Sequence, residues 1–297
     1  MRGGRQMILL AGAAGQLGSA VYRVLRKEYG TDFRCIDIKS DKLEAYKQEG
    51  VETFAIDLAK GEGLDEPLKG VKAVISVVGL QKETPELTYM DVDYGANKNL
   101  LDASIKEGVE HFSYVSALQT AKDAPRKVHR AKWLMEEELR KSPIKYTIFR
   151  PSGFFTDFIY YFGKKCKEED TFTIIGDGNM KIQPINIDEL AYCLVKAHQT
   201  PAAYNKVFPV GGPEVITLNE LIEFYAMFFN KEIKIRHIPM WLMKFLATIT
   251  FNKLISKDFL VRLETDSVCD ISEIKEAFQI EFTSLKDYIR NFDWSKV

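Results

Sequence analysis

The residues of this chain best suited to chemistry are three glycines at three-residue intervals, Gly12, Gly15 and Gly18. They lie between the apolar run Met7-Ile8-Leu9-Leu10-Ala11 and a helical pattern over residues 19–25. A short apolar run reads as a buried strand, so the glycines occupy a strand-to-helix turn. There, Gly12 permits the tight turn, Gly15 lets the backbone approach a pyrophosphate, and Gly18 lets helix and strand pack closely. Gln16 and Leu17 open the helix, whose N-terminus offers free N–H groups and partial positive charge to phosphates. The spacing is G-x-x-G-x-x-G rather than the usual G-x-G-x-x-G, and a tight turn with no ligand leaves a similar pattern. A second signal supports the dinucleotide reading. Phe33-Arg34-Cys35-Ile36-Asp37-Ile38 reads as the next strand, with Asp37 nineteen residues past Gly18 (37 − 18). An acid there hydrogen-bonds the adenine-ribose hydroxyls and repels a 2′-phosphate, which favours NAD over NADP. Lys39 and Lys42 follow closely and could serve a 2′-phosphate instead.

The elements that position these residues are equally regular. The 297 residues suffice for a sizeable core, and 46% apolar with 28% charged residues is ordinary for a soluble globular protein. A net charge of −1 gives no reason to propose a nucleic-acid partner. Cys35, Cys166, Cys193 and Cys269 lie far apart, which indicates neither a zinc site nor a disulfide framework and suits the cytoplasm. Cys35 falls in a core strand and reads as a small buried hydrophobe. Residues 1–6 form a short polar leader without the apolar segment of a secretory signal, and the fold is expected to begin at Met7. The greasy stretch 238–249 is too short to span a bilayer and carries Lys244. It reads as a buried or pocket-covering helix, or else as a docking surface for a partner or membrane.

Strands and helices alternate through the first half. Strands are expected at 51–56, 72–79, 111–116 and 145–151, and helices at 41–48, 85–107 and 125–141. This alternation implies a doubly wound parallel sheet with helices on both faces. Beyond Pro151 the rhythm breaks into an aromatic cluster at 154–162, a Gly176-Asp177-Gly178-Asn179 turn and a helix starting at Ile187 with Asp188 as its N-cap. A late strand at 206–212 and further helices at 218–230 and 284–292 follow. The expected division is an NAD(P)-binding core over 7–151 and a smaller, mainly helical substrate-binding part over 152–297, packed as one compact unit.

Gly12-x-x-Gly15-x-x-Gly18, Asp57-Leu58, Tyr114-Val115-Ser116-Ala117, Lys132 and Phe149-Arg150-Pro151, taken in order, resemble the atypical short-chain dehydrogenase/reductase superfamily. The nearest branch in this resemblance is the NmrA-like and divinyl-reductase-like NAD(P)-binding proteins. It implies that Asp57 and Leu58 edge the adenine and that Val78 and Gly79 wall the adenosine. Ser116 would face the nicotinamide, Lys132 would hydrogen-bond its ribose, and Pro151 and Ser152 would pass its carboxamide. Active members carry a tyrosine four residues before the lysine, as general acid or base. Here that position is Val128, which has no proton to transfer, and His129 is one helical step off that face and reads as an exposed helix residue.

Two functions follow. The first is an NAD(P)-dependent oxidoreductase that reduces an activated C=C bond or a flat, quinone-like acceptor, taking its proton from solvent or from a phenol such as Tyr160 or Tyr161. The second is a non-catalytic NAD(P)-binding redox sensor or assembly factor, with a protein partner engaged through residues 238–250. An epimerase or dehydratase is a weaker third, since those generally need the tyrosine as well.

Overall fold

The structure, a computed structural model, describes residues 6–38, 40–250 and 257–296. Residues 1–5 of the polar leader and Lys39 lie outside the described residues. The strands are β1 (Met7–Ala11), β2 (Phe33–Asp37), β3 (Glu52–Ala55), β4 (Val71–Ser76), β5 (His111–Val115) and β6 (Lys145–Pro151), then β7 (Thr171–Ile175), β8 (Lys181–Ile182), β9 (Lys206–Val210), β10 (Ile216–Thr217) and β11 (Lys234–Ile238). The helices are α1 (Gln16–Tyr29), α2 (Asp41–Gln48), α3 (Asp65–Leu68), α4 (Asn97–Lys106), α5 (Lys127–Lys141), α6 (Phe155–Asp157) and α7 (Lys164–Glu168). They continue with α8 (Ile187–Lys196), α9 (Leu218–Phe228), α10 (Met240–Ile249), α11 (Lys257–Leu263), α12 (Ser272–Phe278) and α13 (Leu285–Asn291).

The chain divides into two compact units. The first comprises residues 1–150, 187–208 and 273–279, and the second the intervening segments 151–186, 209–272 and 280–297. The first unit is built on a sheet of order β3-β2-β1-β4-β5-β6-β9. Its first six strands pair in parallel, with Leu10 opposite Cys35 on one side and Ile75 on the other. Central strands of such a sheet are covered on both faces, which is why Ile8, Leu9, Leu10, Val74, Ile75, Phe112 and Cys35 are buried apolar residues without alternation. The strand order reverses between β1 and β4. In this class of sheet the ligand crevice opens there, beyond the carboxyl ends of the strands.

The second unit has a separate aromatic core, including Phe155, Phe158, Phe172, Phe224 and Tyr225. It carries two small two-stranded pairings, β7 with β11 and β8 with β10. Among the described residues no helix is long and apolar enough to cross a membrane.

Two expected elements are corrected. The helix expected over 85–107 starts at Met90, as a π-helical segment Met90–Ala96 that passes into α4. Residues before it are held in turns instead, where Asp91 accepts from the amide and hydroxyl of Thr88. Asp188 is not an N-cap: it lies inside the first turn of α8, and its carboxylate accepts from Arg23 of α1.

Candidate functional site

The glycine turn occupies the exit of β1, and its three glycines are required for different reasons. Gly12 has φ +82°, and a Cβ there would come within 3.1 Å of Val77 C and Val78 N. A Cβ on Gly18 would sit 2.0 Å from the Gly12 carbonyl. The protein's own backbone therefore excludes side chains at both positions. Gly15 is different. It is exposed, its φ of −65° is open to any residue, and among the described residues a Cβ would meet only Gly12 O, at 3.4 Å. Nothing among the described residues requires a glycine there, so the requirement points outward, to something that comes close to the backbone. α1 begins at Gln16 with no side-chain cap and no acid in its first turn, which leaves a helix N-terminus suited to an anion. Leu17 turns into the core while Gln16 stays exposed.

Asp37 ends β2 against this turn. One carboxylate oxygen accepts from Ala14 N at 2.7 Å and the other from Ile38 N at 2.7 Å. Burial pushes its pKa up, against the two amides and Lys42, which pull it down. Lys42 donates to Ala14 O at 3.1 Å and to Ser19 Oγ at 3.2 Å, within a shallow groove also lined by Arg23, Arg26 and Tyr46. Asp57 caps a short 3-10 turn by accepting from Ala59 N, and Leu58 is buried behind it.

Val78 and Gly79 follow β4 and lie against a feature that was not visible from the sequence. Asp93, 1% exposed, accepts from Leu80 N through Oδ2, while its Oδ1 is 3.1 Å from Lys132 Nζ. That Oδ1 has no aligned hydrogen-bond donor. A Cβ on Gly79 would stand 3.0 Å from the same oxygen and 3.6 Å from Lys132 Nζ, so glycine leaves this buried pair its room. The π-helical segment accounts for the placement of Asp93. π-segments leave backbone carbonyls without their usual partners. Here the Asn97 amide donates to the carbonyls of Val92 and Asp93 and, across the turn, to Val78. Asn97 thereby fixes the wall and the acid together.

α5 carries Val128, Lys132 and Glu136 on one face at four-residue spacing, and all three are buried. Lys132 donates to Val115 O at 3.0 Å and stands 5.4 Å over the Tyr114 ring. Ser116, 3% exposed, donates to Glu136 at 2.6 Å and lies 3.2 Å from Thr120 Oγ1. Glu136 is wholly buried and also accepts from Arg150 Nε at 2.8 Å and from Arg140 at 2.7 Å. Sequence reasoning missed both Asp93 and Glu136. The available signal was the four-residue step from Lys132 to Glu136, which puts the two on one helix face. His129 corrects another expectation: it is 3% exposed, not solvated, and it lies 3.2 Å from Arg126. α5 buries a stripe wide enough to take the neighbouring position too.

Ser116, Lys132, Asp37, Asp57, Gly79 and the glycine turn all belong to the first unit. Pro151 ends β6, and Ser152 is fixed inside the second unit, its N–H donating to Val210 O and its hydroxyl to Gln183 O. Tyr160 also belongs to the second unit, half exposed, with its ring edge-on to Phe292.

A parallel sheet with this strand order, a glycine turn after β1, an acid after β2 and a buried lysine on α5 defines the fold of NAD(P)-binding oxidoreductases. The chain belongs to the NmrA-like family, whose model matches residues 4–292. It is 23% identical over 297 residues to the photosystem II assembly factor Ycf39 of Trieres chinensis, covering 96% of this chain and 92% of that one. It is 29% identical to an NAD(P)H azoreductase of Xenophilus azovorans, covering 71% of this chain and 70% of the relative. Among solved structures, the NADPH-dependent quinone oxidoreductase QOR2 of Escherichia coli, complexed with NADPH, superposes with a TM-score of 0.78 at 19% identity, covering 95% and 98% of the two chains.

Proposed function

We propose that this chain is an NAD(P)H-dependent reductase that works without the helix tyrosine, on an activated C=C bond or a quinone-like acceptor. The observation that carries this reading is the buried Lys132–Asp93 pair beside Gly79, with Val128 in the place of a phenol. The unfilled space over Gly15 and the uncapped start of α1 fit a pyrophosphate, and the cofactor, when bound, supplies the hydride. In this reading Asp57, Leu58, Val78 and Gly79 border the adenosine, and Asp37 favours NAD, with Lys42 as the counter-weight toward NADP. Lys132 has three N–H groups. One is given to Val115 O and one faces Asp93, so the third is available to a ribose hydroxyl. Ser116 completes the nicotinamide end within the first unit.

Reducing a carbonyl to an alcohol needs a positioned proton donor, and Val128 cannot be one. Reduction of a conjugated bond or a quinone can take its proton from water, or from the phenol of Tyr160. The quinone and azo reductases among the similar proteins support this choice of acceptor. Substrate choice falls to the second unit, with its aromatic core.

A second reading, a non-catalytic redox sensor or assembly factor, is favoured by one observation. The Ser116 hydroxyl is committed to Glu136 and almost sealed from solvent. The likeness to an assembly factor points the same way. Calorimetric titration with NADH and NADPH, followed by oxidation assays with quinone and enone acceptors, separates the two. Binding with turnover supports the reductase, binding without turnover on any acceptor supports the sensor, and no binding removes both.

A further inference from the structure

α10 is apolar on both faces. Inward it offers Leu242, Met243, Leu246 and the fully buried Ala247. Outward, at steps of four residues, it exposes Trp241 (69%), Phe245 (57%) and Ile249 (52%). A helical stripe of large exposed apolar side chains marks an interaction surface.

The charge around the stripe identifies its occupant. The chain as a whole is balanced, with 41 basic and 42 acidic residues. Yet residues 233–250 contain no Asp or Glu, while Lys234, Arg236 and Lys244 fall within them. Lys234 and Arg236 are exposed on β11, which leads directly into α10 through Pro239, and Lys244 lies on the outward side of α10, paired with Glu264. A ten-residue helix is about 15 Å long and falls well short of the roughly 800 Å² per partner of a stable dimer. A bilayer surface has no such requirement. A short helix with Trp and Phe on its outer face and basic residues beside it suits the boundary between headgroups and acyl chains.

We propose that α10, with β11 beside it, docks the protein on an anionic membrane surface, inserting Trp241, Phe245 and Ile249 among the acyl chains while Lys234 and Arg236 meet the headgroups. The attachment is peripheral and reversible, and it weakens as salt screens the headgroup charge.

Vesicle flotation of the full chain tests this, comparing vesicles of pure phosphatidylcholine with vesicles of equal parts phosphatidylcholine and phosphatidylglycerol. The expected result is flotation with the anionic vesicles, reversed by salt and weak with the neutral ones. The double variant Trp241→Ser/Phe245→Ser should bind at least about tenfold more weakly. Lys234→Glu/Arg236→Glu should lose about tenfold on anionic vesicles and little on neutral ones. Met227→Ser removes an equally exposed apolar side chain elsewhere in the same unit and should bind like the parent. All variants alter exposed residues, so unchanged circular dichroism and thermal midpoint are expected alongside. Absence of flotation with either vesicle overturns the proposal, as does equal loss in Met227→Ser. Concentration-dependent self-association abolished by Trp241→Ser/Phe245→Ser overturns it in favour of a second copy. A stoichiometric protein complex abolished by the same variant, without vesicle binding, overturns it in favour of a protein partner.

Discussion

Substituting valine at Gly15 distinguishes a glycine kept for the fold from one kept for a ligand. Among the described residues an added Cβ there meets only Gly12 O, at 3.4 Å, and the backbone needs no adjustment at φ −65°. The cost to the fold should therefore stay within about 0.5 kcal/mol, with some offset from the reduced freedom of the unfolded chain. Binding is a different matter. Hydrogen bonds from backbone N–H to a charged phosphate are worth about 1.5–3 kcal/mol each, and a branched side chain would hold the pyrophosphate off one or two of them. The expected loss is about 2–4 kcal/mol, or roughly 30- to 700-fold in Kd for NADH or NADPH. Isothermal titration of Gly15→Val beside a thermal melt reads both quantities. Gly18→Ala is the comparison, because its Cβ would lie 2.0 Å from a carbonyl oxygen and must damage the fold itself. Undiminished affinity in Gly15→Val, or a thermal midpoint as low as that of Gly18→Ala, would refute the reasoning.

Three further outcomes are expected. Glu136→Gln leaves the partly exposed Arg150 and Arg140 facing a neutral amide, and should destabilise the chain by about 1.5–3 kcal/mol in urea unfolding; a change near zero would mean the network carries no stability. Burial lowers the pKa of His111 from 6.5 to about 3, so it stays neutral in the fold while the unfolded chain takes up a proton below 6.5. Its contribution is fully present above 6.5 and is lost as the pH falls toward 3. Stability should therefore drop by about 2 kcal/mol between pH 6.5 and 5, less steeply in His111→Gln, and identical pH slopes for the two proteins would contradict the assignment. Asp37→Ala should narrow the preference for NADH over NADPH, read as the ratio of the two Kd values; an unchanged ratio would mean that Asp37 serves only to brace Ala14 N.

The sheet was legible because its signals are local. The apolar runs of β1, β4 and β5 need two covered faces wherever they occur, and Gly18 is dictated by the backbone of Gly12 and Ala13, a few residues before it. What escaped depends on long-range partners. Glu136 opens a run of three glutamates that reads as a solvated helix face, and only the meeting of Ser116, Arg140 and Arg150 around it reveals a buried charge. The placement of Asp93 depends on one amide, Asn97, reaching carbonyls on two segments. The burial of His129 depends on how wide a stripe α5 covers, which its own sequence does not define. Resemblance pointed to Ser116 and Lys132 by position, but the acids that hold them had to be found in space.

The division of the chain also governs how the protein can be made. The first unit is completed only by residues 273–279, where Phe278 of α12 packs against Phe149 of β6 and Phe208 of β9 at 5.8 and 5.7 Å. A ribosome that has released the glycine turn and the first six strands has not yet supplied α8, β9 or α12. The β6 edge must therefore wait unpaired until Lys206–Val210 is supplied, and its aromatic contact with Phe278 waits longer still. Chains truncated before residue 273 should lose part of the first unit as well as the second, and fragments cut after Arg150 should appear as substrates for chaperones and proteases rather than as miniature cofactor-binding domains.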